Sequence, residues 1–158
     1  MPDTDAPRFV ADAMLGALAR WLRVLGLDTA YDPGLDDGEI VALSLAEGRT
    51  ILTRDRRLVE RRLAANHLLV ASEVVDEQVR QVVAACNLTP EAERLFLRCL
   101  RCNEALVPAD AEEARARVPP FVARTTQEFR RCPACGRFYW RASHVRRMRD
   151  RLRRMGVV

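Results

Sequence analysis

Two Cys-x-x-Cys pairs constrain the second half of this chain more than any other feature. Cys99 and Cys102 form one pair, Cys132 and Cys135 form the other, and 29 residues separate them. Each pair can form a knuckle whose two sulfur atoms reach the same ion, and two knuckles complete a tetrahedral zinc site. Because four thiolates leave no open coordination position, the predicted zinc is structural rather than catalytic.

Two other uses of paired cysteines explain the pattern less well. A redox motif does not account for two copies, and disulfides are rare in a chain without a secretory signal. The start, MPDTDAPRFVAD, lacks the basic region and apolar core of such a signal, which predicts a cytoplasmic location. No apolar run approaches the roughly 18 residues of a membrane helix, so we expect no membrane contact. The fifth cysteine, Cys86, lies on an apolar helix face and is predicted to be core.

The residues before the cysteines alternate between strand-like and helix-like patterns. Short apolar runs such as RFVAD and RTILT predict strands, whereas AMLGALARWLRVLG places leucines three and four residues apart, as an amphipathic helix does. Asp36 with Glu39 predicts a capping box, and Gly48 predicts the end of that helix. Residues 54–66 read as a further helix. Strands alternating with helices predict a parallel sheet with helices on both faces.

The charge divides the chain into an acidic and a basic part. Up to Pro90 there are 10 arginines against 14 acidic residues, and from Glu91 there are 16 arginines against 8. We therefore predict an α/β domain over residues 8–90, followed by a zinc ribbon with a basic C-terminal helix over residues 91–158. The basic part is a candidate for contact with a polyanion.

Carboxylates stand at several strand ends and helix starts of the α/β part. Asp12 and Asp55 follow strands, Asp36 and Asp37 begin the helix between them, and Glu73 follows a later strand. Ligands of parallel sheets gather at the carboxyl ends of the strands, and clustered carboxylates suit Mg²⁺ or Mn²⁺. Such an ion can activate water against a phosphodiester. The alternative is that each acid only caps a helix, and the residues alone leave both interpretations open.

Several stretches together resemble the Mut-seven C-terminal RNase domain family over about residues 8–148. They are FVADAMLGALARWLRVLGLDTAYD, LDDGEIVALSLAEGRTILTRDRRL, RVPPFV and RCPACGRFYWRASHVRRM. The resemblance implies a PIN-like domain, a zinc ribbon and metal-dependent ribonuclease activity. It places the catalytic acids at Asp12, Asp36, Asp37 and Asp55, and Asp37 is favoured over Asp36. The family often has Ser-Asp where this chain has Ser-Glu, so the fourth acid is either Glu73 or none.

Arginines near the acids and in the basic tail are candidate RNA contacts. Residues 130–154 hold ten arginines and one acid, Asp150, with the aromatic run Phe-Tyr-Trp at 138–140. Arginines interleaved with aromatic side chains suit single-stranded or structured non-coding RNA, although the aromatics could equally form the ribbon's core. Arg23 is placed near the exposed face of its helix. The predicted RNA-binding residues are Arg20, Arg54, Arg57, Arg141 and Arg146.

Two functions follow as hypotheses. The first is a divalent-metal-dependent ribonuclease that cuts RNA with its clustered carboxylates and grips it with the zinc ribbon and the arginine-rich tail. The alternative is a non-catalytic RNA- or ribosome-binding protein built on a PIN-like fold.

Overall fold

A four-stranded parallel sheet forms the centre of the first part of the chain. The computed structural model describes residues 5–158, so the first four residues of the acidic start lie outside it. The strands are β1 (Phe9–Ala11), β2 (Thr29–Ala30), β3 (Thr50–Thr53) and β4 (His67–Leu69). They lie in the order β2-β1-β3-β4, and all neighbouring pairs are parallel.

Helices cover both faces of this sheet because the side chains of the strands alternate. The helices are α1 (Gly16–Val24), α2 (Asp37–Glu47), α3 (Arg56–Val59) and α4 (Val75–Ala85). Phe9 and Leu52 pack on the face covered by α1 and α4, whereas Val10 and Ile51 pack against α2 and α3. The predicted α/β class with helices on both faces is confirmed.

The predicted capping box at the start of α2 is confirmed. Asp36 Oδ1 accepts a hydrogen bond from Glu39 N–H at 2.8 Å, and Glu39 Oε2 accepts from Asp36 N–H at 2.8 Å. Gly48 ends the helix in the left-handed conformation, with φ 65°. Local sequence therefore determines both ends of α2.

The helix predicted over residues 54–66 is wrong beyond its first turn. α3 ends at Val59, and turns carry the chain from there to His67. Because His67 must pair with Ile51, the longer helix would leave no residues for the return to the sheet.

The cysteine-rich part forms a small antiparallel sheet. Its strands are β5 (Val107–Pro108), β6 (Phe129–Arg131) and β7 (Phe138–Trp140), in that order. Two short helices, α5 (Ala111–Arg115) and α6 (Pro120–Thr125), occupy the link between β5 and β6. This link explains why the two Cys-x-x-Cys pairs stand so far apart in the sequence.

The basic C-terminal helix, α7 (Ser143–Met155), packs against the first part of the chain. Leu152, Met155 and Val157 belong to the same core cluster as Trp21, which is buried as expected. Arg151 lies over the Trp21 ring, 5.1 Å from its centroid, and its Nε donates to Asp76 Oδ1 at 2.9 Å.

The division of the chain into two parts at residue 90 stays a prediction. Helix α7, from the second part, supplies side chains to the core of the first part. None of the helices within residues 5–158 is both long and apolar enough to cross a membrane.

Truncating Leu152 tests the docking of α7. Leu152 is fully buried, so we expect Leu152→Ala to lower the free energy of unfolding by about 2–5 kcal/mol, measured by urea denaturation. Arg153→Ala, at an exposed neighbouring position, is the control and should change it by less than about 0.5 kcal/mol. Equal stability of the two variants would mean that α7 is detached in solution.

Candidate metal centres and nucleic-acid interface

The four cysteines converge on one point, in two knuckles with the same backbone geometry. Their sulfur atoms all lie within 4.8 Å of one another. In the first knuckle Cys102 N–H donates to Cys99 Sγ at 3.4 Å, and in the second Cys135 N–H donates to Cys132 Sγ at 3.5 Å. The residue after each knuckle is left-handed: Asn103 has φ 68° and Gly136 has φ 72°.

This arrangement can hold a metal ion, as the sequence predicted. All four cysteines are free thiols. Burial raises the pKa of the Cys99 thiol, but hydrogen bonds from the Tyr139 hydroxyl and from backbone amides outweigh it and lower the pKa to about 7. The hydrogen bond with Cys135 raises the pKa of Cys102 to about 12. A bound cation displaces protons that thiols share in this way. Zinc is the ion that four tetrahedral cysteine sulfurs fit.

Asp12 and Asp55 follow the neighbouring strands β1 and β3 at one end of the parallel sheet, which we call the carboxyl edge. Thr53, the last residue of β3, connects them: its hydroxyl donates to Asp12 Oδ2 and accepts a hydrogen bond from Asp55 N–H at 2.9 Å. Asp12 is 8% exposed, and Thr53 is fully buried. The sequence analysis missed Thr53, although a threonine that ends an apolar strand just before Arg-Asp is the signal for it.

The other predicted acids are engaged elsewhere. Asp36 caps α2, as described above, and the Asp37 Oδ2 atom lies 3.4 Å from Arg61 Nη2. The side chain of Glu73 is 89% exposed and pairs with Arg54 at 3.4 Å. Within residues 5–158, no three carboxylates approach one another as closely as the four cysteine sulfurs do.

Three of the acids do cap helices, as the capping interpretation predicts, but their carboxylates keep oxygen lone pairs that could still bind a metal. Asp12 Oδ1 accepts from Met14 N–H at 3.0 Å, and Asp55 Oδ1 accepts from Arg57 N–H at 2.8 Å. Asp36 also uses Oδ1 for its cap. A carboxylate has about four lone-pair sites, so a cap occupies only part of its capacity. Capping and metal binding therefore do not exclude each other.

The comparisons with known proteins decide the family. The sequence model described as Mut7-C RNAse domain matches residues 7–152, nearly the whole chain. The chain belongs to the Mut7-C RNAse domain family. No curated protein and no solved structure gives a match. The resemblance seen in the sequence is confirmed, and the family is ribonuclease-like, with RNA as the substrate or partner that its name implies.

In this Mut7-C RNAse domain, Arg54 lies at the carboxyl edge and bridges two loops. Its Nη1 donates to the Ala71 carbonyl at 2.8 Å, and its Nη2 reaches the exposed Glu73. Arg54 thus joins the end of β3 to the segment after β4. To contact RNA as predicted, Arg54 would only have to release its ion pair with the exposed Glu73. Such surface ion pairs contribute little to stability.

The remaining predicted RNA contacts are all exposed, and Arg23 is not one of them. Arg20, Arg57, Arg141 and Arg146 are exposed, and their binding to RNA stays a prediction. Arg23 is buried: its Nε donates to the Thr29 carbonyl at 2.9 Å. The placement of Arg23 on the exposed face was wrong because the ribbon covers that face. The periodicity of the helix sequence gives no sign of this contact.

The opposite end of the sheet, the amino edge, carries the first knuckle. Asn103 accepts from Thr29 N–H at 2.9 Å and donates to Asp28 Oδ1 at 2.7 Å. Arg49 Nη1 also binds Asp28 Oδ1, at 2.6 Å, and Arg23 Nη1 donates to the Leu100 carbonyl at 2.9 Å. Burial raises the pKa of Asp28, but its hydrogen bonds with Arg49 and Asn103 outweigh this and lower it. The ribbon is therefore joined to the sheet by partly buried polar contacts.

Replacing one knuckle cysteine tests the metal site. We expect the purified wild-type chain to carry about one zinc and Cys132→Ala to lose it, because three thiolates no longer enclose the ion. Elemental analysis measures the zinc content, and Cys86→Ala, at the cysteine outside the cluster, is the control that keeps it. A folded wild-type chain without zinc would contradict the prediction.

Truncating Asn103 tests the link between the knuckle and the sheet. Asn103→Ala leaves the Thr29 amide without its acceptor, and Asn87→Ala is a matched control because Asn87 is also left-handed, with φ 52°. Both variants acquire the same backbone strain, so we expect Asn103→Ala to be less stable than Asn87→Ala by about 1–3 kcal/mol in urea denaturation. Equal losses would mean that the contacts of Asn103 do not hold the ribbon in place.

Proposed function

We propose that this chain is a divalent-metal-dependent ribonuclease. Asp12, Asp37 and Asp55 hold the metal at the carboxyl edge, Asp36 mainly caps α2, and the ribbon and α7 bind the RNA. The observation that carries the proposal is the Asp12 carboxylate, which is buried at the carboxyl edge and has no cationic partner among residues 5–158. Membership in a ribonuclease-like family supports the same conclusion.

The environment of Asp12 calls for a cation. The carboxylate receives hydrogen bonds from two neutral donors, the Thr53 hydroxyl and the Met14 amide, and forms no ion pair within residues 5–158. A buried charge that no opposite charge compensates is costly. Carboxylate oxygens are the donors that Mg²⁺ and Mn²⁺ prefer, so the donor set fits the proposed ion.

Thr53 is a positioning residue for this site. Because its oxygen accepts from the Asp55 amide, its proton is directed to Asp12. The hydroxyl thus orients the Asp12 carboxylate relative to the start of α3. Such hydrogen bonds to metal-binding side chains commonly change metal affinity or activity by about 10–100-fold.

The remaining residues of the carboxyl edge can complete the site. A bound Mg²⁺ or Mn²⁺ would supply an activated water and shield the charge of the phosphodiester. The Asp37–Arg61 pair is half exposed, with N and O 3.4 Å apart, so exchanging its partner costs Asp37 little. Arg57, exposed beside Asp55, is placed to bind a phosphate of the strand.

The alternative, a non-catalytic RNA-binding protein, is favoured by one observation. The acids do not converge as the cysteines do, and Asp37 is held by Arg61. A fold that binds RNA without cutting it needs no such convergence. Cleavage assays on matched variants separate the two functions.

Asparagine substitutions test the metal ligands without removing the helix caps. Asparagine caps a helix as well as aspartate does, so Asp12→Asn and Asp55→Asn remove mainly the charge that binds the metal. We expect Mn²⁺-dependent cleavage of a labelled single-stranded RNA to be lost in both variants. Thr53→Val should lower it by about 10–100-fold.

Asp110→Asn is the control, since Asp110 caps α5 in the same way, with Oδ1 2.9 Å from Glu113 N, but lies in the ribbon. It should cleave like the wild type. Cleavage that needs no metal, or that survives both substitutions at the carboxyl edge, would contradict the proposal. Binding of RNA without cleavage by the wild type under any divalent metal would favour the alternative.

A further inference from the structure

A cavity of about 510 Å³ lies between the ribbon sheet, the segment that precedes it and α7. Its size is in the range of small-ligand sites, and it is separate from the carboxyl edge and from the four cysteine sulfurs. Its lining includes the arginines Arg130, Arg141 and Arg149 and, among its aromatic residues, Phe96, Phe129 and Trp140.

Arg149 is the residue that indicates a ligand. Its side chain lines the cavity, and its Nε is buried without a hydrogen-bond partner in the described part of the chain. Buried donors are normally paired, so an unpaired guanidinium N–H marks the place of a missing acceptor. The planar arginine fork matches phosphate oxygens, and the exposed Arg130 and Arg141 add positive charge to the same cavity.

The aromatic residues supply surfaces for a base. Trp140 is half-buried and held by an edge-to-face contact with Phe129, with ring centroids 6.4 Å apart. Phe96 has φ 62°, and within residues 5–158 every other residue with positive φ is glycine or asparagine. A bulky residue in this conformation is strained, and strain of this kind is commonly found at binding sites. Bases of unpaired nucleotides stack on such side chains.

The position of α7 connects this cavity with the carboxyl edge. Val145 and Arg149 line the cavity, whereas Arg151 binds Asp76 at the start of α4, after the carboxyl end of β4. The helix thus runs from the cavity toward the edge at which Asp12 lies. A strand held in the cavity can follow its exposed arginines in that direction.

We propose that the cavity binds one unpaired nucleotide of an RNA strand, with its phosphate on Arg149 and its base against Phe96 and Trp140. Glu93 and Glu128 also line the cavity and offer acceptors to the amino groups of a base or to ribose hydroxyls. The choice of RNA rests on the proposed function, whereas the phosphate and stacking chemistry follows from the cavity itself.

Intrinsic fluorescence reports binding at this position. The chain has two tryptophans, of which Trp21 is in the core and Trp140 lines the cavity. We expect a single-stranded RNA octanucleotide, added without Mg²⁺ or Mn²⁺, to quench the emission, and Trp140→Phe to remove the quenching. Fluorescence anisotropy of a labelled octanucleotide gives the affinity independently.

Arg149→Met should weaken the binding of the octanucleotide by about 10–100-fold, because it removes the charged hydrogen bonds to phosphate. Arg149→Lys keeps the charge but not the Nε donor and should also bind more weakly than the wild type. Arg80→Met is the matched control, since Arg80 is an exposed arginine on α4, outside the ribbon and α7. Zinc content and urea denaturation verify that each variant is folded.

Binding by Arg149→Met that equals binding by Arg80→Met, both folded, would overturn the proposal. AMP that binds as tightly as the octanucleotide would overturn the assignment to a strand. A wild type that binds RNA through Arg149 but never cleaves it refutes the proposed ribonuclease and leaves this inference standing. Conversely, a wild type that cleaves RNA but whose RNA affinity does not change when Arg149 is replaced supports the proposed ribonuclease and refutes this inference.

Discussion

The contact of Asn103 with the amino edge is the interaction on which the arrangement of the two parts depends. Asn103 follows the second cysteine of the first knuckle, and its left-handed backbone is part of the turn that brings the cysteines together. Its side chain binds the Thr29 amide and the Asp28 carboxylate at the start of β2. A metal ion bound at the knuckle would therefore be coupled to the structure of the sheet edge.

This attachment leaves the opposite edge of the sheet open. Parallel strands bring Asp12 and Asp55 to the carboxyl edge, whereas the ribbon occupies the amino edge. The candidate catalytic acids and the structural metal site are therefore at opposite ends of the sheet. α7 is the element that reaches both, since it starts next to the ribbon and its Arg151 binds at the start of α4. Arg146, Arg147, Arg153 and Arg154 are exposed along this helix and give it positive charge.

Features that depend on neighbours in the sequence could be predicted, and features that depend on distant contacts could not. The cysteine knuckles, the capping box of α2 and the burial of Trp21 follow from spacing and periodicity. The burial of Arg23 and the unpaired Nε of Arg149 arise only where the ribbon and α7 meet the rest of the chain. The same holds for Thr53, whose partner Asp12 lies 41 residues away.

The capping role of the acids strengthens the case for a metal site rather than weakening it. Asp12 and Asp55 each give one oxygen to a backbone amide at the start of a helical turn, which fixes the rotamer of the carboxylate. A ligand held in one rotamer loses less conformational freedom when it binds an ion than a free side chain does. Among residues 5–158, Asp37 caps no helix and forms only an exposed ion pair, so under the proposed function a metal would have to reorient it. In that proposal, two preorganised carboxylates and one movable carboxylate would together surround the cation.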